Sequence, residues 1–226
     1  MGTERMRLYL NRLHYPVTTL GPGRRVGVWF QGCTLRCPGC VSADTWASQR
    51  GETTVDAVLE SVAPWLAQAD GVTISGGEPF QQPDALEALL RGLRNIARGD
   101  KDILVYSGYP WEQIAPRVTG WEGLADALIS EPFRAEAGQS LVWRGSDNQR
   151  MNLLTALGRA RYAEWVEAAR ATLPQALDIF FQDGEVWMAG IPSPGTLENL
   201  RIRLAEAGFD STTSQAHGSN PTPVFA

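Results

Sequence analysis

The residues best suited to chemistry are three cysteines that lie together in one short stretch. Cys33, Cys37 and Cys40 are the only cysteines of the 226-residue chain, and their spacing is C-x3-C-x2-C. Because cysteine thiolates are the usual ligands of iron–sulfur clusters, three of them can hold three irons of a [4Fe-4S] cube. The fourth iron would have no protein ligand and could bind a substrate. The spacing therefore favours a catalytic cluster over one that only passes electrons.

Three other interpretations of the cysteines remain open: a disulfide, a zinc site and chance clustering. A disulfide would leave one thiol over, and residues 1–5 lead into no apolar segment of the kind found in a secretory signal. A structural zinc site normally has four ligands. His14 and His217 are the further candidates, and both are far from the cysteines in the sequence. Neither histidine is expected to be a ligand.

A second motif, Gly76-Gly77-Glu78-Pro79, follows the β-branched run at residues 72–74. An apolar run that ends in two glycines predicts a buried strand that stops at a tight turn. Paired glycines allow a ligand to approach the backbone, and Glu78 can accept hydrogen bonds from an ammonium group. Taken alone, the motif is also typical of an ordinary turn between a strand and a helix.

Together the two motifs resemble those of the radical S-adenosylmethionine (SAM) enzymes. The likeness is greatest to the anaerobic ribonucleotide reductase activating proteins and related glycyl-radical activases, and it covers about residues 8–156. The segments that carry it, besides Gly76-Gly77-Glu78-Pro79, are Gly21-Pro22-Gly23, Phe30-Gln31-Gly32-Cys33, Cys37-Pro38-Gly39-Cys40, Val105-Tyr106-Ser107-Gly108-Tyr109 and Trp143-Arg144-Gly145-Ser146-Asp147-Asn148-Gln149-Arg150.

The sequence also departs from that family's pattern. Val41 stands where an aromatic or polar residue is more usual, and Ser130-Glu131-Pro132-Phe133 replaces an acidic residue followed by Gly-Pro-Phe. Residues 157–226 are not accounted for by the resemblance. These departures leave the cluster chemistry intact and put the identity of the target in doubt.

The resemblance implies a [4Fe-4S] cluster and SAM as cofactors, with no catalytic group beyond them. The reduced cluster would pass one electron to the SAM sulfonium, and the resulting 5′-deoxyadenosyl radical would abstract hydrogen from the target. The implied cluster ligands are Cys33, Cys37 and Cys40. The implied SAM contacts are Gly76, Gly77 and Glu78 at the methionine end, Gly39 and Val41 at the adenine, and Ser107, Arg144 and Ser146 at the ribose or carboxylate.

For Ser107 and the turn at residues 144–146, the alternative is a loop that hydrogen-bonds its own backbone. The function that the resemblance implies most directly is that of a radical SAM oxidoreductase, which activates a partner enzyme by generating a glycyl radical. Two alternatives stay open: a radical SAM enzyme that modifies a peptide or small molecule, and a non-catalytic iron–sulfur protein for electron transfer or redox sensing. The implied partners are the protein that carries the glycine and an electron donor such as flavodoxin or ferredoxin.

Composition narrows the class of protein further. The chain is 43% hydrophobic, which is enough for a sizeable core in one domain. The net charge is −5 and the arginines are scattered, so nucleic acid is not an expected partner. No run of about 18 apolar residues exists, so no membrane span is expected. Thiolate ligation of iron requires reducing conditions, which favours a cytoplasmic location.

Hydrophobic periodicity predicts an α/β fold in which strands alternate with helices. The expected strands are 26–30, 71–75, 103–106 and 124–129, with helices at about 53–69 and from Pro83 onward. The family resemblance implies a partial (β/α) barrel, and an open doubly wound sheet fits the pattern equally well. In either architecture, loops at the carboxyl ends of the strands build the site.

Residues 157–209 are expected to form a small hairpin and helix extension of the same domain, which would span residues 1–209. A helix is predicted at about 158–171, and a hairpin at 177–181 and 185–189 around Asp183-Gly184. A last helix is expected between Ser193 and Gly208. Residues 210–226, rich in Ser, Thr, Asn, Gly and Pro, are expected to be a flexible tail.

Overall fold

The computed structural model describes residues 6–97, 99–172, 177–182 and 185–209. In chain order the strands and helices are β1 (Arg7–Val17), β2 (Arg25–Phe30), β3 (Glu52–Thr54), α1 (Val55–Leu66), β4 (Gly71–Gly76), α2 (Pro83–Ile96), β5 (Asp102–Tyr106), α3 (Trp111–Thr119), β6 (Ala127–Ser130), β7 (Arg150–Leu153), α4 (Ala156–Tyr162), β8 (Leu177–Gln182), β9 (Glu185–Gly190) and α5 (Thr196–Glu206). In the part of the chain that the structure describes, no helix combines the length and apolar character needed to cross a membrane.

A seven-stranded mixed sheet, in the order β3-β1-β2-β4-β5-β6-β7, organises the fold. Its four central strands, β2, β4, β5 and β6, are parallel, and β1, β3 and β7 are antiparallel to their neighbours. The parallel strands lie side by side in chain order. A doubly wound sheet would reverse its strand order at a switch point, so that alternative does not describe this chain. The predicted α/β class is confirmed.

Helices α1, α2 and α3 pack on one face of the sheet. The N-terminus of α2 lies at Pro83, a residue suited to the first helical position because it lacks an N–H group. Its Leu86, Leu89 and Leu93 are fully buried against strand residues such as Ile74. The apolar residues whose spacing predicted this helix therefore face the core, as expected.

The opposite face of the sheet is covered by α4 and by the β8–β9 hairpin. Tyr162 of α4 is fully buried with Leu104 and Ile129 of the sheet. The aromatic residues Phe180 and Trp187 of the hairpin pack near strands β1 and β2 of the sheet. The antiparallel hairpin was predicted and is confirmed, while its Asp183-Gly184 turn and the tail at 210–226 lie outside the described residues.

Several boundaries differ from the sequence predictions. The helix expected at 53–69 is shorter, beginning after the Thr54 cap and continuing through Pro64 to Leu66. The helix expected at 158–171 ends at Tyr162 and gives way to short 3₁₀ turns, because Trp165 turns back to pack on Trp143.

Strands β1, β3 and β7 and helix α3 were not predicted. The first strand was missed because its register is broken by two irregularities, which remove the regular alternation of buried and exposed positions. The polar surface and internal Pro116 of α3 weaken the helical pattern in the same way. The three antiparallel strands make the sheet mixed rather than wholly parallel.

Candidate active site at the carboxyl ends of the parallel strands

Three candidate motifs meet at one edge of the sheet. The cysteine loop follows β2, the Gly77-Glu78 turn follows β4, and Ser107-Gly108 follows β5. These strands are parallel neighbours, so their carboxyl ends lie together. The loops approach one another closely. Glu78 N donates a hydrogen bond to Gly32 O at 2.9 Å, and Gly108 is so near Leu35 that a Cβ on this glycine would lie 2.5 Å from the Leu35 side chain.

Cys33, Cys37 and Cys40 form no disulfide among the described residues, and all three are partly exposed on the loop after β2. Burial raises the pKa of the Cys33 and Cys40 thiols, so iron binding would release their protons. Among the described residues, no three His, Cys, Asp or Glu side chains are arranged around a single metal ion. A four-iron cube does not require that arrangement, because each thiolate binds a different iron. Three thiols on one partly exposed loop fit the donor set of such a cluster.

A buried polar network fixes the entrance to the cysteine loop. The Gln31 side chain accepts a hydrogen bond from Asn11 Nδ2 at 2.8 Å and donates to Ala47 O at 2.6 Å. The next backbone amide, Gly32 N, donates to Thr45 O at 2.7 Å. These bonds hold both ends of the segment that carries the cysteines. Sequence reasoning noted Gln31 only as part of a motif and did not predict this role.

The paired glycines are required by the close approach of another loop. Gly76 has a φ of +105°, and a Cβ there would lie 2.4 Å from Phe30 N. A Cβ on Gly77 would lie 2.2 Å from Gly32 O, so a side chain at either position would collide with backbone. What approaches these glycines in the structure is the entrance to the cysteine loop. They therefore set how close the two motifs lie.

The carboxylate of Glu78 links the turn after β4 to the turn after β5. It is fully buried and accepts hydrogen bonds from Phe80 N at 2.9 Å, Ser107 Oγ at 2.9 Å and Gly108 N at 2.7 Å. Burial raises its pKa to about 7, although all three hydrogen bonds oppose that shift. The Ser107 hydroxyl is engaged in the same contact. Both side chains thus brace the turns on which a ligand would rest.

Gln82 is a further structural residue that sequence reasoning missed. Its amide accepts from Tyr9 N at 2.7 Å and donates to Tyr9 O at 3.0 Å and to Gln31 O at 2.9 Å. It therefore ties the turn after β4 to β1 and to the start of the cysteine loop. The available signal was a pair of glutamines one residue after the Gly-Gly-Glu-Pro motif.

Phe133 connects the far side of the cysteine loop to the turn at residues 144–146. A Cβ on Gly39 would lie 3.4 Å from the Phe133 ring, and one on Gly145 would lie 3.1 Å from it. Val41, beside the last cysteine, is 43% exposed and lies open at this edge. The Phe133 ring therefore lies between the two segments.

Arg144 and Ser146 are both buried and both have protein partners. Arg144 donates to Val166 O, and Ser146 Oγ accepts from Arg134 N at 3.0 Å. Burial lowers the pKa of Arg144, and its Nε, also buried, has no hydrogen-bond partner within the described residues. Both side chains therefore bond to backbone groups of other segments, at Val166 and Arg134.

The sequence of this chain is similar to those of known iron–sulfur proteins. Residues 19–152 match the family described as 4Fe-4S single cluster domain. The anaerobic ribonucleoside-triphosphate reductase-activating protein of Haemophilus influenzae is 33% identical over 144 residues, covering 60% of this chain and 92% of that protein. The Escherichia coli K12 protein of the same name is 31% identical over 145 residues, covering 60% and 93%.

The protein of that name from enterobacteria phage T4 is 30% identical over 136 residues, covering 58% of this chain and 85% of its own length. Among solved structures, QueE from Escherichia coli has a TM-score of 0.33 and 16% identity, covering 45% of this chain and 52% of that one. A similarity that weak carries no argument about the fold. The family match includes all three cysteines and spans more than half of the sequence, so this chain belongs to the 4Fe-4S single cluster domain family.

Proposed function

We propose that this chain is a radical SAM activase that cleaves SAM reductively and generates a glycyl radical in a partner enzyme. The observation that carries the proposal is the contact between the cysteine loop and the Gly77-Glu78 turn, joined by the 2.9 Å bond from Glu78 N to Gly32 O. The similarity to three proteins named as reductase-activating proteins supports the target class. An electron carrier would have no need of the second motif.

The bound cluster and SAM would supply the radical chemistry, and the chain would position them. Cys33, Cys37 and Cys40 would ligate three irons of the cluster. The proposed SAM contacts are Gly76, Gly77 and Glu78 at the methionine end, Gly39 and Val41 at the adenine, and Ser107, Arg144 and Ser146 at the ribose or carboxylate.

The structure suggests how some of those residues would act. The carboxylate of Glu78 and the hydroxyl of Ser107 bond to each other, so we propose that they support the turn and leave ligand contacts to its backbone. Val41 is exposed and free to contact an adenine. Arg144 and Ser146 already bond to Val166 O and Arg134 N, so their proposed SAM contacts have the least structural support of the set.

The proposal includes a partial (β/α) barrel as the architecture and a single domain over residues 1–209. Support for the barrel comes from the four parallel strands, which follow chain order, and from helices α1 to α3, which share one face. Support for the single domain comes from α4, whose Tyr162 is buried in the sheet. The β8–β9 hairpin and α5 would extend this domain.

The proposed partners are a glycine-bearing protein and an electron donor such as flavodoxin or ferredoxin. Nucleic acid is not proposed as a partner, because the net charge is −5 and the arginines are scattered. No role at a membrane is proposed. A cytoplasmic location is proposed because iron–thiolate chemistry needs reducing conditions.

Anaerobic reconstitution with iron, sulfide and dithionite, followed by SAM, tests the proposal. The wild-type chain should show a cluster absorption band and form 5′-deoxyadenosine, and Cys37→Ala should abolish both. Ser48→Ala, elsewhere on the loop that follows β2, is the matched control and should retain both signals. Absence of cluster and product in the wild type would refute the proposal.

The target class needs a second measurement. Addition of the reductase encoded by the same organism should give a glycine-centred electron paramagnetic resonance signal in that partner. A mass change on a peptide or small molecule, with no glycyl signal, would instead support the modifying enzyme as the function.

A further inference from the structure

The Gln81 side chain, in the turn after β4, contacts the cysteine loop beyond its first cysteine. Gln81 Oε1 accepts a hydrogen bond from Thr34 N at 3.1 Å, and Gln81 Nε2 donates to Thr34 Oγ1 at 2.6 Å. The same Nε2 also donates to Tyr109 Oη at 3.1 Å. A single amide therefore joins the loops that follow β2, β4 and β5. Both its donor and its acceptor are used, which an apolar side chain of similar size could not reproduce.

The position of Thr34 makes this contact informative. Thr34 directly follows Cys33 and lies three residues before Cys37, so fixing its backbone fixes the path between two of the cysteines. Of the other polar side chains of this turn, Gln82 bonds to β1 and to Gln31 O, before the first cysteine, and Glu78 bonds to the loop after β5. Gln81 is the member of the turn whose side chain reaches inside the segment that carries the thiols.

Hydrogen bonds, more than apolar burial, hold the shape of the cysteine loop. Thr34, Arg36 and Gly39 are exposed, so burial of apolar surface contributes little along this segment. Arg36 also has a φ of +46°, an uncommon conformation for a residue with a side chain. A hydrogen bond from a well-packed neighbour to this segment therefore helps to select one conformation of the loop.

We propose that Gln81 is a positioning residue for the iron–sulfur site: through Thr34 and Tyr109 it holds the cysteine loop ready for the cluster before the cluster binds. The residue acts through the loop and does not itself ligate iron or contact SAM. The inference rests on the proposed function, because it assigns a task to the loop that the cluster would occupy. It adds a residue that lies outside the cysteine and Gly-Gly-Glu motifs.

The test compares three variants of the complete chain. Gln81→Leu removes the amide at nearly the same size. Gln81→Glu keeps an acceptor for Thr34 N, and the Thr34 and Tyr109 hydroxyls can both rotate to donate to the carboxylate. Gln113→Leu, an exposed glutamine on α3, is the matched control.

The first measurement is hydrogen exchange of the Thr34 amide in the cluster-free chain. Gln81→Leu should exchange about tenfold faster than wild type, the effect expected from one lost hydrogen bond. Gln81→Glu should restore most of the protection, and Gln113→Leu should match wild type. This readout needs no cluster and no activity, so its failure is distinct from failure of the proposed function.

The second measurement is iron bound per chain under limiting iron, with the electron paramagnetic resonance spectrum of the reduced cluster. Gln81→Leu should load several-fold less iron and give a broadened spectrum, and Gln81→Glu should recover both. Unchanged exchange and unchanged loading in Gln81→Leu would overturn the proposal. If circular dichroism shows that Gln81→Leu is unfolded, Tyr109→Phe provides the test, because it removes only one of the three contacts. It should then show the same changes to a smaller degree, and wild-type behaviour would count against the proposal.

Discussion

The sheet and the part of the C-terminal extension that follows α4, the β8–β9 hairpin and α5, are held in place by different kinds of contact. In the sheet, Leu86, Leu89 and Leu93 of α2 are fully buried and belong to one continuous apolar core. In the extension, α5 has no buried residue among those described, and Phe181 of the hairpin is 81% exposed. The comparison shows that apolar burial stabilises the scaffold of the candidate site, while the extension depends on a few contacts made at its edge.

The contacts that hold the hairpin are polar and aromatic. Asp178 accepts hydrogen bonds from Thr18 N at 2.7 Å, from Thr18 Oγ1 at 2.6 Å and from Thr19 Oγ1 at 2.9 Å. The Phe180 and Trp187 rings lie 3.9 Å and 4.6 Å from the His14 ring, measured between centroids. His14 is thus a packing residue of this interface.

The sheet also contains a cluster of polar side chains, including a charged pair, that is buried far more deeply than the contacts of the hairpin. The Arg25 guanidinium pairs with Asp102 at 2.6 Å, and both side chains are completely inaccessible to solvent. The Tyr162 hydroxyl donates to the same carboxylate, and Arg25 Nε donates to Thr73 Oγ1 at 2.6 Å. Every charged group in this cluster has a partner, which is the condition under which a buried ion pair can be tolerated.

The largest expected effect comes from removing one member of this buried pair. Asp102→Ala should lower the free energy of unfolding by about 3–5 kcal/mol, because it leaves the Arg25 charge buried without its partner. Denaturant titration of the cluster-free chain measures the change. Asp84→Ala removes an exposed carboxylate that also pairs with an arginine, and its cost should stay below about 1 kcal/mol. Equal effects of the two substitutions would contradict the contrast between buried and exposed contacts.

A second effect concerns the pH dependence of stability. Glu78 has an ordinary pKa of 4.5 and a folded-state pKa of about 7. Between these values the folded chain keeps a proton that the unfolded chain has released, so stability falls as pH rises through this range. Relative to Glu78→Gln, the wild type should lose about 3 kcal/mol between pH 4.5 and pH 8.

Urea titrations of the cluster-free wild type and of Glu78→Gln at several pH values measure this loss. Glu60→Gln, on the exposed surface of α1, controls for the change in net charge. A stability difference between wild type and Glu78→Gln that does not vary with pH would show that the carboxyl titrates normally in the folded chain.

The smallest effect is expected in the extension. Asp178→Ala should cost about 1 kcal/mol, because its hydrogen bonds lie near solvent. The cost should appear as about tenfold faster hydrogen exchange in β8 and β9, with the amides of β4 and β5 unchanged. Phe181→Ser, at the outward face of the hairpin, should change stability by less than about 0.5 kcal/mol. Loss of protection throughout the sheet in Asp178→Ala would show that the two regions unfold as one.

Much of the fold was predictable because its signals are local. The strand before the cysteine loop, the helix that begins at Pro83 and the β8–β9 hairpin all follow from hydrophobic periodicity and turn residues. Strand β1 was not predictable, because the irregularities in its pairing with β2 interrupt the alternation of buried and exposed residues. Its place in the sheet depends on pairing with residues far away in the sequence.

The sequence by itself determined the chemistry of this protein. Three thiols at C-x3-C-x2-C spacing and a Gly-Gly-Glu turn are properties of residue type and order, and they suffice to indicate a cluster site. Only the tertiary structure decided what holds that site together. The side chains of Gln81, Gln82 and Gln31 bond to residues 13 to 73 positions away along the chain, and the local sequence does not specify those partners. Side-chain hydrogen bonds between separate loops exist only once the strands have brought those loops to one edge.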